Sequence, residues 1–479
     1  MNGLRLFLFC VPLVAGCSMA PTYKKPAMPL PAAYKGAAGI WKQASPSDRL
    51  PRGQWWKVYD DPVLDGLMVR LDSANPDLAA AVAHFDQATA YATQARSYLF
   101  PTIQAGSFAT TNRQSIHRAH RSSGFQSNVY GNYSLGLMAD YEVDLWGRVH
   151  NLVAEGEAGA QAAAADLESV RLSLRAELAD DYLALRALDA QTKLLEGEVS
   201  AYSKALTLTR NRFEGGIDSA LDVSRAKAQL DTAQARLSDT AAQRALYEHA
   251  IATLVGVPAT AFSLVPIVTD LRLPAIPIGV PTELLQRRPD ISAAERRLFE
   301  ANARIGIAKA AFFPTVTLAG VGGYESTYTS SWLSAPNLFW TIGPNALLTI
   351  FDAGRRQAIV DEATAAYNIA GAQYRSTVLH AFQEVEDNLS LLNELAKESI
   401  ALKAAVTDTK RTLSLAMNRY KEGTVNYLEV VTAQTAAQQA QLDELNLRKR
   451  RLQASVNLIR ALGGGWDAKS IGNTDVSSR

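Results

Sequence analysis

The chain of 479 residues carries 48 Lys+Arg against 47 Asp+Glu, so no global basic field exists to recruit nucleic acid or an anionic surface. Apolar residues make up 48%, yet after the N-terminal run no stretch approaches the ~20 uninterrupted apolar residues of a membrane-spanning helix. If the rest of the chain crosses a membrane, it must do so with strands.

Arg5, the apolar run Leu6 to Val14, and the order Leu13-Val14-Ala15-Gly16-Cys17-Ser18 describe a signal peptide over residues 1–16. The last of these motifs looks like a bacterial lipobox. Cleavage before Cys17 would free its amine and thiol for N-acyl (palmitate-type) and S-diacylglycerol attachment; a plain secretory signal with an incidental cysteine is the competing reading. Cys10 leaves with the signal, so one cysteine remains and no internal disulfide can form. Ser18 stands where an Asp usually marks inner-membrane retention, which directs the chain to the outer membrane.

Residues 17–74 follow as an acylated N-terminal segment, read as part of an equatorial belt. The chain then duplicates itself. Asn75-Pro76-Asp77 to Phe100-Pro101-Thr102 returns as Arg288-Pro289-Asp290 to Phe313-Pro314-Thr315 at an offset of 213, and Arg148 to Phe213 returns as Arg355 to Tyr420 at an offset of 207. Each repeat, 75–255 and 288–462, opens with a short helix, Pro76 to Leu99 or Pro289 to Phe312, with proline in its first turn and another past its end.

Hairpins 102–146 and 315–351 come next. From Tyr133 the odd positions Tyr133, Leu135, Leu137, Ala139, Tyr141, Val143 and Leu145 are apolar, and the even ones Ser134, Gly136, Met138, Asp140, Glu142 and Asp144 mostly polar. Trp340, Ile342, Ala346, Leu348 and Ile350 alternate likewise. A half-buried soluble strand would look the same, but the length suits a tilted membrane strand better. Four strands cannot close a barrel and an open edge cannot face lipid, so the chain must associate with further copies.

The long helices 148–213 and 355–420 contain no proline and would each run ~100 Å. Their far halves carry heptad stripes, Leu185 to Phe213 and Leu392 to Tyr420, that favour projecting helical hairpins. At the turns, Arg212, Gly216, Ser219 and Asp222 align with Arg419, Gly423, Asn426 and Glu429. Glycine permits a left-handed cap, and Ser219…Asp222 and Asn426…Glu429 have capping-box spacing; turn chemistry without recognition is the competing reading. Return helices 219–255 and 426–462 are little more than half as long, so each is expected to stack end to end on a short helix. A linker (256–287) and a tail (463–479) complete the belt.

No catalytic chemistry is visible. His84, His117, His120, His150, His249 and His380 show no metal-ligand spacing, and there is no P-loop, nucleophile elbow or HExxH. Gly320-Val321-Gly322-Gly323 reads as strand rather than phosphate cradle. The basic loop Arg113, His117, Arg118, His120, Arg121 is read as solvated surface, with contact to lipopolysaccharide phosphates as the sharper alternative.

Together with the lipobox, the runs Gln54-Trp55-Trp56…Asp61-Pro62-Val63-Leu64, Leu285 to Ile291, Ala310 to Pro314 and Ala461-Leu462-Gly463-Gly464-Gly465-Trp466 strongly resemble the lipoprotein outer-membrane factors of tripartite efflux pumps, TolC-like proteins of the NodT branch. The resemblance implies a mixed α and transmembrane β fold: a homotrimer whose four strands per chain share a twelve-strand barrel that continues into a long α-helical barrel in the periplasm. It implies a passive, non-enzymatic exit duct for drugs or other toxic small solutes. Its partners would be a periplasmic membrane-fusion adaptor, an inner-membrane RND transporter and outer-membrane lipid, with no nucleic acid and no cofactor beyond the lipid on Cys17. The tip residues would dock the adaptor. Where relatives narrow the closed mouth with acidic residues, this chain has Leu413, Leu415 and Met417. Leu413 and Met417, tightened by ion pairs from Arg411 or Arg419, are therefore the gate candidates, ordinary packing being the alternative. Metal-cation efflux or type I secretion through the same architecture, and a non-conducting coiled-coil lipoprotein, are the competing functions.

Overall fold

The computed structural model describes residues 18–28, 34–35, 54–115, 117, 129–269, 272–274, 276 and 287–465. Cys17, the signal segment, the tail from residue 466 and Arg118, His120 and Arg121 of the basic loop lie outside them. Among the described residues the elements run α1 (Pro62–Ala74), α2 (Pro76–Ser97), β1 (Thr102–Arg113), β2 (Val129–Val143), α3 (Arg148–Glu214), α4 (Ala220–Leu254), α5 (Pro289–Ala310), β3 (Thr315–Ser326), β4 (Leu338–Leu347), α6 (Arg355–Lys421) and α7 (Tyr427–Ala461). Corresponding helices of the two halves have equal lengths: 22 residues for α2 and α5, 67 for α3 and α6, 35 for α4 and α7. None is long and apolar enough to cross a membrane. Two differences from the sequence reading stand out. Residues 62–74, read only as part of the equatorial belt with no element assigned, form α1, capped by the Asp61 carboxylate, which accepts from the Val63 and Leu64 amides at 2.9 and 3.2 Å. The second hairpin stops at Leu347 rather than 351: Leu347 is the last residue paired to β3 (with Thr315), and Leu348 to Phe351 have no partner strand.

The chain divides into two compact units, one of Met1–Ala27, His84–Ala163 and Ala293–Tyr374, the other of Met28–Ala83, Ala164–Ser292 and Arg375–Arg479. The first holds a single antiparallel sheet in the order β1-β2-β3-β4. Its register aligns the alternation of all four strands. Ala105, Leu137, Gly322 and Trp340 share one rung, and Ile103, Ala139, Gly320 and Ile342 the next, so the apolar residues make one continuous face. Leu137, Trp340 and Ile342 are 58%, 73% and 66% exposed on it, against the usual rule for large apolar side chains. The opposite face carries Gln104, Thr110, Asn132, Asp140, Glu142, Thr317, Glu325, Thr341 and Asn345. Among the described residues β1 and β4 each have one neighbour, leaving two open edges.

In the same unit the residues after Cys17 are strapped along helices. Ser18 Oγ donates to Asn151 in the first turn of α3 at 3.0 Å, Asn302 donates to the Pro21 carbonyl at 2.9 Å, and Tyr23 packs edge-on against Phe299 at 5.2 Å. Lys25 then pairs with Glu295 at 2.7 Å, so the strap descends α5 turn by turn. Gly306 is what admits it: a Cβ there would sit 2.5 Å from Asn151 Nδ2 and 2.8 Å from Ala20 Cβ.

In the second unit the return helices meet the start of the short ones. Asn75, just before α2, donates to the Leu254 carbonyl at the end of α4 at 2.9 Å; Arg288, just before α5, donates to the Ala461 carbonyl at the end of α7 at 3.1 Å. At both joints a positive-φ glycine, Gly256 (φ 72) or Gly463 (φ 89), brings backbones together: a Cβ would lie 2.1 Å from the Ala74 carbonyl oxygen or 2.0 Å from that of Arg287. The linker after α4 is held by buried charges. Asp189 takes Arg186 and Arg244 at 2.9 and 2.7 Å, and these guanidiniums donate to the carbonyls of Val265 and Leu264. Removing one member would strand the others out of water, a larger loss than the pair itself is worth.

Candidate functional site

The long helices end at two turns built from the same sequence plan. At the first, Gly216 takes φ 75, the Ile217 amide donates back to the Arg212 carbonyl at 2.8 Å, and α3 terminates in a left-handed cap. Ser219 and Asp222 then form the reciprocal capping box expected of them: Ser219 Oγ accepts from the Asp222 amide at 3.2 Å, and the Asp222 carboxylate accepts from the Ser219 amide at 3.4 Å. At the second, Gly423 takes φ 77 and the Thr424 amide donates to the Arg419 carbonyl at 2.9 Å.

The second box, however, does not form. Asn426 makes no side-chain cap bond, and the Glu429 carboxylate is taken by Arg419 at 2.6 Å instead. Asp222 keeps its cap bonds while also holding Arg225 at 3.3 Å, whereas the longer Glu429 reaches the Arg419 guanidinium and leaves the cap. The copies therefore differ electrostatically. The first tip's ion pair, Arg212 Nε to Asp218 at 3.1 Å, has side chains only 16% and 9% exposed; that of the second tip, Arg419 to Glu429, is 55% and 44% exposed and worth little.

Side chains that the sequence reading missed join the two tips. Tyr420 of α6 donates its phenol to the Asp218 carboxylate and lies within 3.1 Å of Thr209 Oγ1, while the Arg212 guanidinium covers its ring at 4.7 Å. Tyr427 meets Tyr420 edge-on at 5.3 Å, and with Ala205, Ala226 and Val430 they form the buried tip cluster. Burial, helped by the adjacent Asp218 carboxylate, pushes the Tyr420 phenol up to about 12, so it stays a donor throughout the physiological range. The sequence held a faint signal: Tyr420 replaces Phe213 of the first copy, and Asp218 has only Val425 opposite it.

The gate candidates stand differently. Met417 packs partly buried against the tip cluster, and Leu413 beside it is half-buried. The two line a groove of about 550 Å³ with Tyr202, Glu198, Gln434 and Gln438. Gln438 donates to Glu198 at 2.6 Å, and burial holds that carboxyl above its ordinary range. Packing on the chain's own tip thus accounts for much of Met417. Arg419 is committed to Glu429, which takes it away from the role of tightening a throat, and Arg411 and Leu415 are the exposed neighbours.

Nothing in this arrangement pairs a nucleophile with a base; it is built to hold hairpins and present a surface. The outer membrane efflux protein family model matches residues 67–257 and 280–464. The chain is 33% identical over 468 residues to outer membrane protein OprJ of Pseudomonas aeruginosa, covering 97% of this chain and 96% of that one. It is 32% identical over 459 residues to toluene efflux pump outer membrane protein TtgF of Pseudomonas putida, covering 95% of each. Among solved structures, the outer-membrane channel OprN superposes with a TM-score of 0.84 at 30% identity, over 94% of this chain and all (100%) of that one.

Proposed function

The chain belongs to the outer membrane efflux protein family, and from that membership we propose that it is the outer-membrane channel of a tripartite pump, a passive, non-enzymatic duct rather than a catalyst. The observation that carries the reading is the sheet: four strands with one exposed apolar face, one polar face and two unpaired edges. Such a sheet is unstable alone in lipid and is satisfied when β4 of one copy pairs with β1 of the next. Three copies give twelve strands, with the apolar face outward and the polar face lining a lumen that continues between the long helices. The tip residues Arg212, Gly216, Ser219 and Asp222, with Arg419, Gly423, Asn426 and Glu429, meet a periplasmic adaptor, which an inner-membrane RND transporter loads. The cargo is drugs or other toxic small solutes, a class consistent with a relative named for toluene efflux.

Cys17 carries the lipid in this reading. The strap supports it, since Ser18, the next residue, is tied to Asn151 in the first turn of α3, four residues after the Gly147 that follows β2. A fatty-acid probe is expected to label the wild type and not Cys17→Ser, which keeps part of its membrane association through the strands.

The deciding experiment is conductance of the purified oligomer in a planar bilayer, with its mass measured in detergent. Stable single-channel steps from a particle of three chains are expected; a non-conducting particle, or a monomer, would overturn the reading.

A further inference from the structure

We propose that the polar face of the sheet carries a binding recess for monovalent organic cations with a flat apolar body; the proposal rests on the channel reading above, in which this face lines the lumen. The face is hollowed by a recess of about 340 Å³, within the range of small-molecule sites. The strand register shows what it offers. One rung runs Gln104, Met138, Val321, Thr341, an apolar centre between an amide and a hydroxyl; the next places Asp140 between Thr102 and Ala319. On the other side of the apolar rung lie Gly106, Gly136 and Gly323 in a row ending at Phe339.

Three features select the ligand. The first is charge. Asp140 is exposed and has no hydrogen-bond or ion-pair partner among the described residues, whereas Glu142, two residues on, is engaged by Arg148 at 2.7 and 2.5 Å. The strands place Asp140, Glu142 and Glu325 on this face and no Lys or Arg; Arg113, their one basic residue, lies on the opposite face. Rings of carboxylates favour cations over anions in a pore.

The second is the apolar floor. Met138 is 46% exposed at a position where the alternation calls for a polar residue, and a methionine thioether moulds itself to aromatic surfaces. A hydrated metal ion would use the carboxylate and gain nothing from Met138 and Val321; a neutral solute would gain nothing from Asp140. The third is the breadth of the apolar surface. Gly106 lets the Met138 thioether lie across it, a Cβ there meeting Met138 Cε at 3.4 Å, and Phe108, 49% exposed one rung beyond, offers a ring face to a cation.

The test uses full-length oligomer in a planar bilayer with ethidium as the probe. Wild-type current is expected to be blocked by ethidium in a concentration-dependent way, with Asp140→Asn and Met138→Ser each needing roughly threefold to fivefold more probe and Asp140→Glu blocked as the wild type is. Equal block of wild type and Asp140→Asn, each with normal unblocked conductance, would overturn the recess. So would a conducting wild type that ethidium never blocks, and that result leaves the channel intact; absence of conductance would instead overturn the channel reading beneath it.

Discussion

Tyr420 on the second hairpin donates its phenolic hydrogen to the carboxylate of Asp218 on the first, 202 residues earlier. This contact, with Arg212 laid across the tyrosine ring, is where the two repeats are locked at their tips. Its chemistry is lopsided. Tyr420 is 1% exposed, so the aromatic body contributes through burial, and the hydroxyl contributes a second donor to the part-buried Asp218 Oδ2, which the Arg212 guanidinium also reaches.

Tyr420→Phe keeps the ring and removes only the donor. The expected loss is about 1–2 kcal/mol of local stability, the cost of one buried charge-assisted bond, with assembly preserved. Hydrogen exchange read by mass spectrometry should speed up at 209–222 and around 420–427 and stay unchanged in the sheet. Unaltered exchange at the tips would mean that the apolar cluster alone holds them.

Gly216→Val and Gly423→Val each force a β-branched residue into the left-handed region, at a cost of about 1 kcal/mol or more per copy. A Cβ at either site meets nothing within 4 Å, so the damage is to the backbone and not to packing. Drug resistance and adaptor crosslinking are expected to fall while the oligomer persists. Full resistance and full crosslinking in both variants would remove the tips from docking.

The glycines and the helices were legible because their signals are local. Proline-free length, proline at the first turn, glycine at the C-cap and period-two alternation are written in neighbouring residues, so α3 ends at Glu214 where the pattern stops at Phe213. What the sequence concealed is pairwise and long-range. Asn426…Glu429 has the same spacing as Ser219…Asp222, yet Arg419 claims Glu429; no local pattern reports which partner a carboxylate prefers. Asp218 and Tyr420 are likewise unremarkable one at a time. α1 was hidden by its surroundings, since a short amphipathic run between Pro- and Gly-containing segments reads as belt until Asp61 is seen capping it.

Asp180 in α3 gives a pH handle. Burial pushes its carboxyl up to about 7, with Asp181 adding to the rise and Arg460 opposing it. A carboxyl whose folded-state pKa exceeds its unfolded value of 3.8 supports the fold fully when protonated, below about pH 4; that support drains away as pH rises through about 7. Asp180→Asn, permanently neutral, should therefore melt higher than wild type at pH 8, by no more than roughly 4 kcal/mol in stability, and match it near pH 4. A thermal scan across that window decides; an Asn variant less stable at pH 8 would show that the charged form is the one the fold needs.

Met417 tests whether the closed mouth is a ring of apolar side chains or a consequence of tip packing. Because it leans on the cluster around Tyr420, Met417→Asp places a carboxylate against an apolar surface, which should cost more than about 1 kcal/mol in each copy and loosen the hairpin. Raised resting conductance and vancomycin uptake are expected from that variant, and wild-type values from Met417→Leu, which keeps volume and apolarity. Leu415, 55% exposed on the same turn, separates the two causes. If an apolar ring facing the axis excludes water, Leu415→Asp opens the channel without disturbing hydrogen exchange at Tyr420; if packing alone keeps the mouth shut, Leu415→Asp is silent and Met417→Asp acts together with faster exchange. Unchanged conductance and uptake for Met417→Asp in an assembled oligomer would place the gate away from Leu413, Met417 and Arg411 altogether.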